Sequence, residues 1–278
     1  MNNVPCRNRT FLLELRSVYD YVLSEYSHWL MCMTHRLGRE SALEVWNDAL
    51  LRFDVEFLDQ ILSNGWSEAP SSCNIADSER PMEGILEVFF ADHDSNDEED
   101  EDREIIMAAP PLLQIREKLA QGPIHRSSTT YEAIHLYCHG FALMAESLID
   151  RFGCLGMLLA YDIRLEEIAM TNFEKLSVEE FIKRRRTRFS KDPEELEIHS
   201  AGLEAELISS SDTEIVTHTT ECEWVRYYRD HHPTVGYLMC CSVDDIAYRA
   251  INERLRLQRT TTLMEGSSCC DFRIFAVE

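Results

Sequence analysis

Several well-known catalytic and binding motifs are missing from this sequence. It has no Gly-x-Gly-x-x-Gly segment and no phosphate-binding loop, which disfavours dinucleotide and nucleoside triphosphate chemistry. It has no Gly-x-Ser-x-Gly turn, the site of the serine nucleophile in α/β-hydrolases. It also has no Cys-x2–4-Cys pair, the usual spacing of a structural zinc site. Any chemistry must therefore come from other arrangements of side chains.

Basic side chains are scarce. There are 27 Lys and Arg residues against 50 Asp and Glu, a net charge of −23. Segment 92–104 holds nine acids and one arginine, a net −8, so the remainder carries −15. Because binding to phosphates depends on Lys and Arg, we expect no nucleic-acid partner. The acidic segment is predicted to be a solvated, disordered loop, with a tethered acidic interaction tag as the alternative.

Long apolar runs are also lacking. The N-terminus has no signal-peptide pattern, and no apolar stretch approaches the roughly 18 residues of a membrane span. We therefore expect a soluble, cytoplasmic protein without a membrane partner. Ten cysteines in such a chain indicate free thiols, catalytic groups or metal ligands rather than a disulfide framework.

Apolar residues at helical spacing dominate the first two thirds of the chain. They predict helices over 9–32, 40–62, 111–120, 130–152, 156–170 and 177–189. The last of these ends in the basic segment 183–188, which is interpreted as a solvated helix end that balances nearby acids. An anion site for a substrate carboxylate is the alternative.

The periodicity changes after Pro193. Segments 203–208 and 214–220 flank a serine-rich turn, which predicts a β-hairpin. The remaining elements are predicted to be a short helix at 222–230, a buried strand or helix at 235–241, and strands at 255–262 and 269–276.

These elements predict an α+β fold, with an N-terminal helical half packed on a C-terminal antiparallel sheet. The expected organisation is a helical region over 1–91, the acidic loop 92–104, and an α+β region over 105–278 with a cysteine-rich sheet. All of it is expected to form one compact domain.

Five of the ten cysteines fall within residues 222–270. Side chains alternate between the two faces of a strand, so adjacent cysteines point to opposite faces. Cys270 should therefore share a face with Phe272 and Ile274. Such thiols are either small packing groups or the nucleophiles of a site. A zinc site formed by Cys222, Cys241 and Cys270 with His231 or His232 stays open as an alternative, although we predict no metal and no cofactor.

A second group lies on helix 130–152. His135, Cys138 and His139 are spaced by three and four residues, which places them on one helix face. His139 is a candidate general base beside a thiol, and His135 is a candidate substrate contact, because imidazole titrates near neutral pH. Core or surface histidines without chemistry, or a helical metal site, are the alternatives.

Three C-terminal segments together resemble the family of L-2-amino-thiazoline-4-carboxylic acid hydrolases. They are Cys222-Glu223-Trp224, the run from Gly236 to Cys241-Ser242-Val243-Asp244, and Arg259-Thr260 to Leu263 followed by Gly266 to Phe272. A weaker similarity, to the vinyl-reductase-type ligand-sensing domain, rests on the closing Gly-x-x-x-Cys-x-Phe pattern.

The family resemblance implies hydrolytic opening of a 2-amino-thiazoline ring that carries a carboxylate, with a small-molecule substrate and no cofactor. It implies that Cys241, Asp244 and Cys270 are catalytic and that Cys222 and Trp224 lie at the substrate. Arg259 or Arg273 would bind the carboxylate. The alternatives are a homologue that cyclises or isomerises a compound of secondary metabolism, and a non-catalytic small-molecule-binding domain. The oligomeric state stays open.

Overall fold

The computed structural model describes residues 10–52, 67–68, 124–170, 173–189 and 202–278, and positions 113, 117 and 120. These residues form two compact units, one over 10–157 and one over 158–278. Helices dominate the N-terminal part, and a four-stranded antiparallel sheet closes the chain. The predicted α+β class is confirmed.

The first unit combines helices with a small antiparallel sheet. Its strands, in the order β1-β3-β2, are β1 (Thr10–Glu14), β2 (Ser67–Glu68) and β3 (Ile124–Thr129). Its helices are α1 (Leu15–Leu37), α2 (Arg39–Leu51) and α3 (Thr130–Phe152). Helix α4 (Cys154–Met170) begins in this unit and continues into the second.

The helix predicted over 9–32 is wrong in its first turn, because residues 10–14 form β1. Every residue of β1 pairs with β3, from Thr10 opposite Thr129 to Glu14 opposite His125. Strand β3 is polar after Ile124 and was not predicted. The helix predicted over 40–62 begins at Arg39 and ends at Leu51, and residues 53–66 lie outside the described part of the chain.

The core of the first unit is formed where α1, α2 and α3 meet. Trp29 and Trp46 are fully buried, and the ring of Tyr26 packs edge-on to Trp46 with centroids 5.5 Å apart. Burial raises the pKa of Tyr26. Gly140 on α3 lies directly against the Tyr26 ring, so a side chain at position 140 would overlap the phenol.

We expect Gly140→Ala to destabilise the protein by about 1–3 kcal/mol, because the new methyl group must displace a buried tyrosine. Thermal unfolding would measure the effect. In a Tyr26→Ala background the same change should be neutral or stabilising, since alanine favours a helix over glycine. An equal loss in both backgrounds would contradict the overlap.

The second unit is built on the sheet β4-β5-β7-β6, in which every neighbouring pair is antiparallel. Its strands are β4 (Leu203–Ser210), β5 (Glu214–Cys222), β6 (Leu255–Gln258) and β7 (Cys270–Ala276). Its helical elements after α4 are α5 (Val178–Arg188), α6 (Glu223–His231), a π-helical turn (Tyr237–Cys241), α7 (Asp244–Ile251) and a 3-10 turn (Leu263–Glu265).

Helix α5 packs on the sheet and supplies three of the nine buried residues of its core. Phe181 and Ile182 of α5 are buried in one cluster with Ile215, Leu255 and Ile274 of three strands. Strand β7 alternates as predicted, with Cys270 and Ile274 buried and Arg273 exposed. The core therefore fixes which face of β7 carries Cys270.

The predicted hairpin and the helix near 222–230 are confirmed by β4, β5 and α6. The buried segment 235–241 is a helical turn, closed by a hydrogen bond from Ser242 N to Tyr237 O (2.9 Å). The strand predicted over 255–262 ends at Gln258. Helix α7 was not predicted, although two acids in its first turn are typical of a helix N-terminus.

The basic segment 183–188 divides between solvent and interior. Lys183 and Arg184 are exposed and face Glu180, as the solvated helix end requires. Arg188, in contrast, is buried.

The acidic segment 92–104 and most of the predicted helix 111–120 lie outside the described residues. The proposed regions 1–91 and 105–278 therefore stay predictions. Among the described helices, none is long and apolar enough to cross a membrane.

Candidate active site

The second unit brings together three of the predicted thiols, Cys222, Cys241 and Cys270, which we call the thiol cluster. Cys222 ends β5, Cys270 begins β7, and the two strands pair with Thr219 opposite Cys270. Cys241 closes the π-helical turn. The sulfurs are close enough for Cys241 and Cys270 to disfavour ionisation of Cys222. These three, with every other cysteine in the described part of the chain, are free thiols.

A tight turn delivers a backbone donor to Cys270. Gly266 has φ +91°, a left-handed conformation that favours glycine, and it ends the 3-10 turn that begins after Thr262. The Thr262 hydroxyl accepts a hydrogen bond from Glu265 N at 3.1 Å. This geometry points Leu263 N at Cys270 Sγ, 3.1 Å away.

An ion pair stands beside the thiol cluster. Arg259 Nη1 lies 2.5 Å from Asp244 Oδ2, and Arg259 Nη2 donates to the carbonyl oxygen of Cys241 at 2.6 Å. The Arg259 side chain is only 8% exposed, whereas that of Asp244 is 31% exposed. The guanidinium also lies over the Phe272 ring, 5.1 Å from its centroid, on the Cys270 face of β7. Arg259 therefore links Asp244, the π-helical turn and β7.

Burial governs the titration of the thiols. It raises the pKa of Cys270 to about 11, while the Leu263 amide and Arg259 act in the opposite direction. It raises the pKa of Cys222 further, although the first-turn amides of Val225 and Trp224 oppose it. The pKa of Cys240 is also raised, by its contact with Cys241 and by burial. At neutral pH these thiols need a base to become nucleophiles.

The Asp244 carboxyl is a candidate for that base. Burial raises its pKa, and Arg259, Arg185 and Arg164 hold the increase down. Burial acts to lower the pKa of the Arg259 guanidinium, but the pairing with Asp244 outweighs burial, and the pKa is raised. The raised pKa makes the Asp244 carboxylate a better proton acceptor than an ordinary aspartate.

Asp271, beside Cys270, has a structural position. Its carboxylate accepts hydrogen bonds from Thr260 N at 2.9 Å and Thr261 N at 2.6 Å, and from both threonine hydroxyls. These bonds hold the segment that follows β6 against β7. Burial acts to raise the pKa of Asp271, but the donors outweigh it and the pKa lies well below the usual value.

A carboxylate with a lowered pKa stabilises the fold above the unfolded-state pKa near 3.9, and this contribution disappears as the pH falls through the folded-state value. We therefore expect Asp271→Asn to cost about 1–2 kcal/mol at pH 7. In acid the gap between variant and wild type should narrow. Urea unfolding at both pH values would test this, and a gap that does not change with pH would contradict it.

The other predicted site residues have different surroundings. Trp224 is partly buried on α6. Arg273 is 48% exposed and bound to Glu214 at 2.6 Å and Gln258 at 2.8 Å, on the face of β7 opposite Cys270. His135 and His139 are buried on α3 of the first unit, with ring centroids 5.1 Å apart and edge-to-face. The roles predicted for these four residues stay predictions.

Two features of the site were missed by sequence reasoning. The Leu263 amide carries no side-chain signal, so no residue pattern predicts its contact with Cys270. Tyr248 lies one helical turn after Asp244, but this spacing is visible only once 244–251 is known to be a helix.

As for metals, the described residues contain no group of three or more His, Cys, Asp or Glu arranged to bind an ion.

With this geometry in place, residues 156–274 match the family of L-2-amino-thiazoline-4-carboxylic acid hydrolases. The predicted family resemblance is confirmed over this segment. We call residues 156–274 the family domain; it contains the thiol cluster, Asp244 and Arg259. No curated protein and no solved structure matches the chain.

Proposed function

We propose that the family domain hydrolyses a 2-amino-thiazoline carboxylate to an N-carbamoyl-cysteine type product. The observation that carries the proposal is the contact between Leu263 N and Cys270 Sγ, beside the Asp244–Arg259 pair, within the segment that matches the family. Nucleophilic attack on an amidine-like carbon needs a nucleophile, a proton acceptor and a group that orients the substrate. Here a thiol, a carboxylate and a fixed cation supply these functions.

Cys270 is proposed as the nucleophile. Burial raises the pKa of its thiol less than that of Cys222, and the Leu263 amide and Arg259 both favour the thiolate. Asp244 is proposed to accept its proton as the sulfur attacks. Cys241 and Cys222 then form the wall of the site, and the Cys241 carbonyl holds Arg259 in position.

The reaction has two proposed stages. Cys270 Sγ bonds to C2 of the ring, and the electron pair of the ring C=N bond moves to the ring nitrogen, which takes the thiol proton by way of Asp244. The C2–S bond of the ring then breaks, a proton of the exocyclic amino group passes by way of Asp244 to the leaving sulfur, and an isothiourea remains on Cys270. Water attacks C2 next and gives one proton to the imine nitrogen; the bond to Cys270 Sγ breaks, the second proton of the water returns to the thiol, and a urea carbonyl remains. The net change is addition of one water.

Arg259 is proposed as the group nearest the substrate carboxylate, in preference to Arg273. Arg259 lies on the Cys270 face of β7, whereas Arg273 lies on the other face and is bound to Glu214. Attraction between a guanidinium and a carboxylate would orient the ring so that C2 faces the thiol.

Mass spectrometry after incubation of the full chain with L-2-amino-thiazoline-4-carboxylate tests this function. A ring-opened product with one added water, formed in proportion to enzyme, is expected. The Cys154→Ser variant is a matched control, because Cys154 is an exposed thiol in the other unit, and it should form product at the wild-type rate. Absence of product from folded protein would refute the proposed substrate.

A second candidate is a non-catalytic small-molecule-binding domain. The raised pKa values of Cys222, Cys240 and Cys270 favour it, since protonated buried thiols are unreactive. In that case the thiazoline should raise the melting temperature without any turnover.

A further inference from the structure

We propose that Arg185 is a positioning residue for this site: by holding the Tyr248 hydroxyl it fixes the helical turn that carries Asp244. The inference rests on the proposed function, in which Asp244 is the base. Arg185 was not among the predicted site residues, and it lies on α5, far along the chain from the thiol cluster.

Arg185 is in contact with Tyr248 in two ways. Its Nη2 donates a hydrogen bond to the Tyr248 hydroxyl. Its guanidinium also lies 5.3 Å from the centroid of the Tyr248 ring and 5.7 Å from that of Phe181. The two rings pack edge-on at 5.8 Å, so the guanidinium is held by both. Such a cation–π arrangement is strongest where water is excluded.

Helix α7 is anchored in the core by Tyr248, the residue that Arg185 contacts. It is eight residues long, and a helix of that length is not stable without tertiary packing. Tyr248 is the one buried side chain among its residues, all of which the structure describes. Asp245 provides a second attachment by accepting a hydrogen bond from Leu257 N at 2.8 Å. Because Tyr248 lies four residues after Asp244, both project from the same side of α7.

Charge adds to the positional effect. The groups that face Asp244 are Arg164 from α4, Arg185 from α5 and Arg259 after β6, together with the Tyr248 hydroxyl and the thiols of Cys240 and Cys270. All three arginines favour the carboxylate form. Removing the Arg185 charge should therefore raise the pKa of Asp244 as well as loosen α7.

Arg184, one residue earlier on α5, provides a matched control. It bears the same charge but is bound to Glu174 at 2.7 and 3.0 Å and to Glu180 at 2.9 Å, and its side chain is half exposed. Exposed pairs of this kind contribute little to stability. Arg184→Gln therefore removes a charge from the same helix without touching Tyr248.

The test compares Arg185→Gln, Arg185→Lys, Tyr248→Phe and Arg184→Gln for kcat, KM and the pH profile of kcat/KM. A misplaced base should lower kcat by about 10- to 100-fold in Arg185→Gln with little change in KM. The acidic limb should move to higher pH, because the Asp244 carboxylate becomes easier to protonate. Arg185→Lys should return the acidic limb to its wild-type pH. Tyr248→Phe should lower kcat but shift the pH of the acidic limb only slightly. Arg184→Gln should match the wild type.

Equal kcat values and equal acidic limbs in Arg185→Gln and Arg184→Gln would overturn the inference. If Arg185→Gln does not fold, Tyr248→Phe provides the test, because it keeps the ring and removes only the hydroxyl. A wild-type kcat in Tyr248→Phe would also overturn the inference. A 13C carboxyl titration, with the Asp244 signal assigned by its loss in Asp244→Asn, needs no turnover. It should show a higher Asp244 pKa in Arg185→Gln even if the thiazoline is not the substrate, and an unchanged pKa would refute the inference independently of the proposed function.

Discussion

Cys270→Ser should lower the turnover of the thiazoline by about 1,000-fold or more while leaving the fold intact, since removal of a nucleophile typically has an effect of this size. The serine hydroxyl fits the space of the thiol and can accept the hydrogen bond from Leu263 N. It is a far weaker acid than the thiol, so Asp244 cannot activate it to the same extent. Product formation over time, measured by mass spectrometry, would give the ratio.

Cys269→Ser is the matched control for that prediction. Cys269 is the adjacent residue, it precedes strand β7, and its side chain is only partly buried whereas that of Cys270 is buried. Its rate should stay within about twofold of the wild type, as for surface changes away from a site. Wild-type turnover in Cys270→Ser, or an equal loss in both variants, would remove Cys270 as the nucleophile. A selective loss in Cys241→Ala would transfer that role to Cys241.

Arg259→Gln should have the largest effect on stability. The Arg259 side chain is 8% exposed, and its two terminal nitrogens bind Asp244 and the Cys241 carbonyl. Breaking a buried ion pair costs about 3–5 kcal/mol, because it leaves a charge without its partner. Asp244 is 31% exposed and retains some contact with water, so we expect the lower end of that range. Urea unfolding at neutral pH would measure it.

Arg273→Gln is the comparison for Arg259→Gln. Arg273 is also bound to a carboxylate on the same sheet, Glu214, but it is 48% exposed. Exposed pairs are worth about 0–1 kcal/mol, so the loss should not exceed that. A loss in Arg259→Gln as small as about 0–1 kcal/mol would mean that the Asp244–Arg259 pair does not stabilise the site. In Arg259→Gln the loss should shrink in acid, where Asp244 is protonated and needs no partner.

The sequence was a good guide where local pattern and burial agree. Strand β7 alternates through Cys270 and Ile274, and the structure buries those two residues as the pattern predicts. The α3 helix spans 130–152 as predicted, because its apolar residues repeat at helical spacing over six turns. The motif order from Cys222 to Phe272 also predicted the family match.

Non-local pairing explains what the sequence could not predict. Residues 10–14 carry apolar side chains that suit a helix as well as a strand, and pairing with β3 decides for the strand. Helix α7 is too short to show a clear helical periodicity. Its buried residue, Tyr248, is held by contacts with α5, which is distant in the sequence. Contacts such as Arg259 with the Cys241 carbonyl depend on backbone atoms, which leave no trace in side-chain pattern.

The most direct test of the account is a single-turnover experiment with thiazoline labelled with 13C at C2. The reaction is quenched in acid before one turnover is complete, and the digested peptides are mapped by mass spectrometry. We expect the labelled carbon on the peptide that contains Cys270, at early times only, followed by its appearance in the carbamoyl product. Product that forms with no label on any cysteine at those times, or with the label on Cys241 or Cys222, would contradict the assignment of Cys270 as the nucleophile.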